Sequence, residues 1–193
     1  MVDAQIGIVL DALRQSENNA DTLVVFTSDH GDMDGAHRME HKTAFYEEAC
    51  RVPLLIRPVE GSAGGTVDRT HLVSNGLDIL PTLYDYAGAV APDGMTGKSI
   101  RPLAEGGAPE SWRTYIPVES EFGRMIVTNN CKYMLYDEGE HREQFIDLGK
   151  DPGEMRNALQ NKDLAEIIQE HRVLFAHHYS GTLHRSSNHG KQT

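Results

Sequence analysis

Apolar positions near the start of the chain recur at helical spacing: Ile6, Val9, Leu10 and Leu13 share one side of a helix, and Asn18 and Asn19 end it. Residues 23–26, Leu-Val-Val-Phe, form a continuous apolar run, the pattern of a central strand buried on both faces. Residues 52–56 read as another strand. A connection at 61–69, rich in Gly, Ser and Thr, leads to a second helix with Leu77, Leu80, Leu83, Tyr84 and Ala87 on its apolar face. Gly88 is its expected stop, and Pro81 marks its start or a kink.

The periodicity changes beyond a passage at 90–113 rich in Pro, Gly and charge. Residues 115–119, 125–128, 132–136 and 144–147 alternate or cluster as short strands, with Asn129-Asn130 as a turn between two of them. Local connections of this kind predict an antiparallel sheet. Leu164, Ile167, Ile168, His171, Leu174, Phe175 and His178 then line a final helix suited to cover it, with His171 and His178 at the edges of the face rather than as ligands. The predicted class is α/β, with an α/β sheet domain at 1–110 and a small α+β subdomain at 111–180. A tail at 181–193, with little to bury, is expected to be mobile.

At 193 residues and 39% hydrophobic content the chain is long enough for a real core. A net charge of -11 argues against non-specific nucleic-acid binding and would repel polyanions outside a local basic pocket, for which Lys42 and Arg124 are candidates. No apolar run is long enough to span a bilayer, and the opening residues have no secretory-leader pattern. Two distant cysteines make no disulfide framework. Cys50 reads as a small buried residue entering the 52–56 strand, and Cys131 as a strand residue after a turn.

Candidate chemistry begins where the 23–26 run ends, at Asp29, His30, Gly31 and Asp32. The carboxyl end of such a strand faces the crevice where ligands bind in open α/β sheets. Asp29 offers a hard oxygen and His30 an imidazole, together about half of a first metal shell. Gly31 is expected to permit a sharp turn. Lys42 follows His37 and His41 and precedes Phe45 and Tyr46; held beside a divalent ion, its ammonium would complement an anionic ester. With ten histidines in the chain, His37, His41, His71 and His141 taken singly read more often as solvated or hydrogen-bonded groups than as chemistry. The carboxylates of 147–157 read as turn chemistry around Asp151-Pro152-Gly153-Glu154, without the alternation of a calcium loop.

The blocks Ser28-Asp29-His30-Gly31-Asp32-Met33, Gly35-Ala36-His37, Lys42-Thr43-Ala44-Phe45-Tyr46-Glu47-Glu48 and Arg51-Val52-Pro53-Leu54 resemble the metal-and-lysine region of the sulfatases, within the alkaline phosphatase superfamily. The resemblance extends through Asp78-Ile79-Leu80-Pro81-Thr82-Leu83, Gly97-Lys98-Ser99, Phe145-Ile146-Asp147-Leu148 and Asp151-Pro152-Gly153-Glu154 with Asn157, covering nearly the whole chain to about Tyr179. It implies the C-terminal part of an alkaline-phosphatase-like α/β domain, followed by a small antiparallel sheet packed with a C-terminal helix. Asp29 and His30 match a pair of metal ligands, with His30 standing where many members have Asn. Lys42 matches the lysine on the sulfate oxygens, and His37 an active-site position of variable role. Calcium, which prefers oxygen donors, is the family's usual ion, and the imidazole at His30 leaves magnesium, manganese and zinc as alternatives.

The family's nucleophile, a Cys or Ser converted to formylglycine within a Cys/Ser-x-Pro/Ala-x-Arg signature, is not encoded in this sequence, nor is the adjacent aspartate pair of the opening strand. The chain is therefore expected to contribute metal- and sulfate-holding residues while being inactive alone, and to pair with a missing N-terminal half or self-associate. The implied ligand is a sulfate ester or a sulfated saccharide. A phosphodiesterase or phosphonate monoester hydrolase of the same superfamily and a non-catalytic saccharide-binding module are the alternatives. Family members are often periplasmic, secreted or lysosomal. Glu121 and Arg124 are the best candidates for a substrate-facing segment of the small sheet.

Overall fold

The computed structural model describes residues 1–60 and 65–180. The tail expected to be mobile and part of the 61–69 connection lie outside the described residues. The chain forms two compact units, one of Met1–Asp29 with Val52–Trp112, the other of His30–Arg51 with the chain from Arg113 onward. Residues 30–51 thus leave the elements that flank them in sequence and pack with the later sheet.

In the first unit, α1 (Val2–Arg14) follows the predicted periodicity, with no buried residue. β1 (Val24–Thr27) pairs antiparallel with β2 (Leu54–Arg57) in the register Val24↔Arg57 to Thr27↔Leu54. The expectation of a central strand buried on both faces does not hold. These strands form a two-stranded sheet, and the cross-strand pair Phe26 and Leu55 is 40% and 58% exposed, uncovered by any of the described residues to that extent.

α3 (Asn75–Tyr86) starts six residues before Pro81 and runs through it, so the proline neither starts nor stops the helix. Pro81 has no N–H to offer the carbonyl of Leu77, one turn earlier. Gly97 packs against that carbonyl: a Cβ there would lie 1.7 Å from Leu77 O. Gly97→Ala is accordingly expected to destabilise this unit by about 3 kcal/mol, the upper end of overpacking costs. Urea unfolding followed by Trp112, the single tryptophan, measures it; a change within 0.5 kcal/mol, about the noise of a neutral surface substitution, would contradict the close approach. Beyond the helix, Gly88 takes the left-handed conformation (φ 63°) expected of a stop, and the short α4 (Arg101–Ala104) follows.

Asp68 shows how local hydrogen bonding outweighs desolvation. Partial burial raises its pKa, but the amides of His71 (2.8 Å) and Thr70 (2.9 Å) and the His71 imidazole (2.6 Å) hold the carboxyl down at about 2, against an ordinary 3.8. A folded-state pKa below the unfolded one contributes stability that is present above the unfolded value and lost as pH falls through the folded one. Between about pH 4 and 2 the first unit should therefore lose stability, and Asp68→Asn should flatten that part of the profile. Acid unfolding read at Trp112, whose ring meets the His71 edge at 5.6 Å, checks this; parallel wild-type and variant profiles would refute it.

The second unit is organised by the expected antiparallel sheet. β3 (Ile116–Ser120), β4 (Gly123–Val127), β5 (Cys131–Tyr136) and β6 (Glu143–Asp147) form a meander in the order β3-β4-β5-β6. α5 (Ala165–Tyr179), preceded by a 3-10 turn at Lys162–Leu164, covers one face. There Leu164 and Ile168 pack with Cys131, Tyr133 and Phe145. His171, expected at the edge of the helix face, is instead buried: its Nδ1 donates to Ile167 O (2.8 Å) and its Nε2 accepts from Thr128 Oγ1 (3.2 Å).

The opposite face of the sheet is covered by the polar-to-aromatic segment that contains Phe45. Phe45 packs there with Met125, Met134 and Ile146. Because residues alternate between faces along a strand, β5 is buried on both sides, and Lys132 points into the Phe45 side with no exposed surface. Cys50 ends α2 (Glu47–Cys50) instead of entering the strand; Cys131 opens β5 as expected. Within 147–157 the two aspartates act as turn acceptors, Asp147 Oδ1 for the amides of Gly149 and Lys150 and Asp151 Oδ2 for that of Arg156, whereas Glu154 is buried against Lys132.

Candidate functional site

Asp29 closes the first unit and His30 opens the second. On the Asp29 side, the β1–β2 pairing ends at Thr27, and the chain beyond it is held by Asn75, the first residue of α3. The Asn75 side-chain amide donates to Ser28 O (2.6 Å) and Asp29 O (3.0 Å), and Ser28 Oγ donates to Asp29 Oδ1 at 3.3 Å. The sequence reading missed Asn75; its only signal there is a polar Ser74-Asn75 pair at the head of the apolar helix pattern.

On the His30 side, Nδ1 lies 2.7 Å from Gly31 O. A carbonyl only accepts, so Nδ1 carries the proton and Nε2 presents a lone pair. Lys42 Nζ lies 2.7 Å from that Nε2. Imidazole and ammonium thus come together across the loop. Gly31 serves this loop by close approach instead of an unusual turn. Its amide donates to Ala49 O (2.8 Å), a Cβ would meet Glu48 O at 1.9 Å, and its φ is not positive.

His37 has other neighbours. In a left-handed backbone conformation (φ 51°), its ring stacks on Tyr46 at 3.9 Å, with Nε2 3.7 Å from Glu48 Oε2. His37, Glu48 and Glu154 place potential ligand atoms within 4.8 Å of one another, but the buried Glu154 is already engaged by Lys132 and by the Glu47 amide. Burial and then the Glu154 carboxylate push the Tyr46 phenol up from its ordinary value, so it stays neutral. Arg124 lies opposite Glu119 in the β3–β4 ladder, its guanidinium 5.5 Å over the Tyr179 ring. Neither cysteine is poised as a nucleophile: burial pushes both thiols up to about 11.

Taken singly, Asp29 offers a carboxylate and His30 an imidazole whose Nε2 accepts from Lys42, residue types that can ligate a divalent cation.

The family described as N-sulphoglucosamine sulphohydrolase, C-terminal, matches residues 35–178. The chain belongs to this sulfatase family. Among curated relatives, an arylsulfatase of Clostridium perfringens is 35% identical over 189 residues, covering 93% of this chain and 38% of the relative. A delta 4,5-hexuronate-2-O-sulfatase of Bacteroides thetaiotaomicron is 36% identical over 185 residues, covering 90% and 38%. The chain thus spans well under half the length of these relatives. Among solved structures, a 2-O GAG sulfatase superposes with a TM-score of 0.84 at 33% identity, over 93% of this chain and 40% of that one. The phosphonate monoester hydrolase of Agrobacterium radiobacter gives 0.79 at 31%, over 90% and 38%. The sulfatase fold of the C-terminal region therefore accounts for the four-stranded sheet and its helix.

Proposed function

We propose that this sulfatase-family chain supplies the metal- and sulfate-holding side of a sulfate ester hydrolase. The observation that carries the reading is the pairing of Lys42 Nζ with the His30 lone pair at 2.7 Å, within a chain of sulfatase descent. Asp29 and His30 would hold a divalent ion, calcium by family habit, which when bound supplies Lewis-acid stabilisation of the ester oxygens. Lys42 donates hydrogen bonds to the non-bridging oxygens of the ester and orients the sulfate as the S–O bond breaks and charge develops on the leaving oxygen. His37, stacked on Tyr46, lines the same loop and shapes it.

The nucleophile, a formylglycine in the family, comes from outside this sequence, and the chain works with a further part of a sulfatase domain. The open apolar positions Ile8, Val9, Phe26 and Leu55 support that association. A sulfated saccharide is the favoured substrate class, because a relative 36% identical is a hexuronate-2-O-sulfatase; Arg124 is the proposed substrate contact on the small sheet. Among the described residues no helix is long and apolar enough to cross a membrane. Likeness to a phosphonate monoester hydrolase keeps phosphonate esters as the second reading.

Hydrolysis of an aryl sulfate and an aryl phosphonate, with calcium, by the chain alone and mixed with the N-terminal half of a family relative, tests the proposal. Sulfate hydrolysis only in the mixture is the expected result. A preference for the phosphonate would favour the second reading, and activity of the chain alone would overturn the division of labour. Silence of a mixture that demonstrably associates would overturn the hydrolase reading.

A further inference from the structure

We propose that Asn75 is the positioning residue of Asp29, anchored for that task by the buried Asp78; the inference rests on the metal-holding role proposed for Asp29. The β1–β2 register ends at Thr27↔Leu54, so the Ser28 and Asp29 carbonyls lie beyond the last paired residue. The two protons of the Asn75 amide go to these two carbonyls, at 2.6 and 3.0 Å. They belong to the peptide planes on either side of the Asp29 Cα. Fixing both planes fixes the direction of its Cα–Cβ bond, the base from which the carboxylate extends, while Ser28 Oγ, 3.3 Å from Oδ1, donates to the carboxylate itself.

Asn75 can hold a position only if the start of α3 is itself held. Asp78, fully buried, accepts the Ser74 amide on Oδ2 (2.8 Å) and the Lys98 amide on Oδ1 (2.9 Å). Thr82 donates to the Asp78 carbonyl (2.5 Å) and accepts the Ile100 amide (3.0 Å). The segment 98–100 is thereby tied to the first two turns of the helix. The Asp78-Ile79-Leu80-Pro81-Thr82 block, prominent in the sequence, gains a role: it locks the helix end that carries Asn75. Partners that orient a metal ligand in this way typically change metal affinity by 10–100-fold when removed.

The test follows the Asp29 carboxyl carbon by NMR during a calcium titration of the full chain. Wild type is compared with Asn75→Ala and with the isosteric Asn75→Asp, which sets an acceptor against both carbonyls. Affinity should weaken about tenfold in Asn75→Ala and further in Asn75→Asp. The Asp29 backbone order parameter should fall in both variants without metal, while unfolding read at Trp112 stays near wild type. Unchanged affinity together with unchanged order would overturn the inference. If wild-type Asp29 does not respond to calcium, its metal role fails, and the metal-free order of Asp29 alone decides the positioning: lost in the variants supports it, retained overturns it.

Discussion

Replacement of Lys132 by methionine is expected to destabilise the second unit by about 3–5 kcal/mol, the cost of stranding a charge inside a protein. The Lys132 ammonium is buried in the sheet face covered by Phe45. It donates to Phe45 O at 2.9 Å and lies 2.8 Å from Glu47 Oε1 and 2.8 Å from Glu154 Oε1. Glu154 is 3% exposed, and its other oxygen accepts the Glu47 amide at 2.6 Å. Without the ammonium, the buried Glu154 carboxylate loses its lysine counter-charge and keeps the Glu47 amide. Glu154→Gln should cost less, because Lys132 keeps Glu47 and the Phe45 carbonyl. The double variant should recover part of the Lys132→Met loss, since no buried charge then remains. Hydrogen exchange of the β5 and β6 amides reads the effect in the unit concerned. Acceleration below about tenfold in Lys132→Met, equivalent to about 1.4 kcal/mol, would show that the ion cluster does not hold the sheet against its Phe45 cover.

The second large effect is on chemistry. Lys42→Ala should lower kcat/KM for an aryl sulfate by about 10²–10³ in the complemented enzyme, the range measured when a charge-stabilising donor is removed. Lys42 belongs to a loop around a 3-10 turn at Ala36–Arg38, outside the regular elements, so the variant should keep wild-type exchange rates in β5 and β6. Lys42→Arg should recover activity only in part, because a planar guanidinium is not a compact ammonium. Because Lys42 also donates to His30 Nε2, calcium titrations of the variant separate a lost sulfate contact from a disturbed metal ligand. A kcat/KM within threefold of wild type, under 1 kcal/mol of transition-state stabilisation, would remove Lys42 from the proposed machinery.

Several elements were legible because their signals are local. The helical face of Ile6, Val9, Leu10 and Leu13 appears as α1, and the four strand segments appear as β3 to β6 within one or two residues at each end. The Asn129-Asn130 turn joins β4 to β5, where local connections favour an antiparallel meander. What surrounds each element was not legible. The 23–26 run has the composition of a doubly covered strand, yet composition cannot say which layers this chain brings to it. Gly31 reads as a permissive turn residue and Gly97 only as part of a motif, while each is required by a carbonyl from a distant segment, Glu48 or Leu77. Asn75 carried no chemical signal because its amide acts on two carbonyls more than forty positions earlier in the chain.

The sequence by itself determined the periodicities, the order of the elements, the sulfatase motifs and the residue types offered to a metal and an anion. Those depend on neighbours within a few residues, where backbone geometry and side-chain spacing set the outcome. The tertiary structure alone decided that residues 30–51 join the later sheet, that Phe45 covers its second face and that Lys132 is buried against Glu47 and Glu154. It also decided that Lys42 meets His30 while His37 turns to Tyr46 and Glu48. A lysine within an alternating strand reads as a solvent-facing residue unless something covers that face. The cover comes from a segment about ninety residues away in sequence, and burial, charge pairing and hydrogen bonding are settled by that meeting.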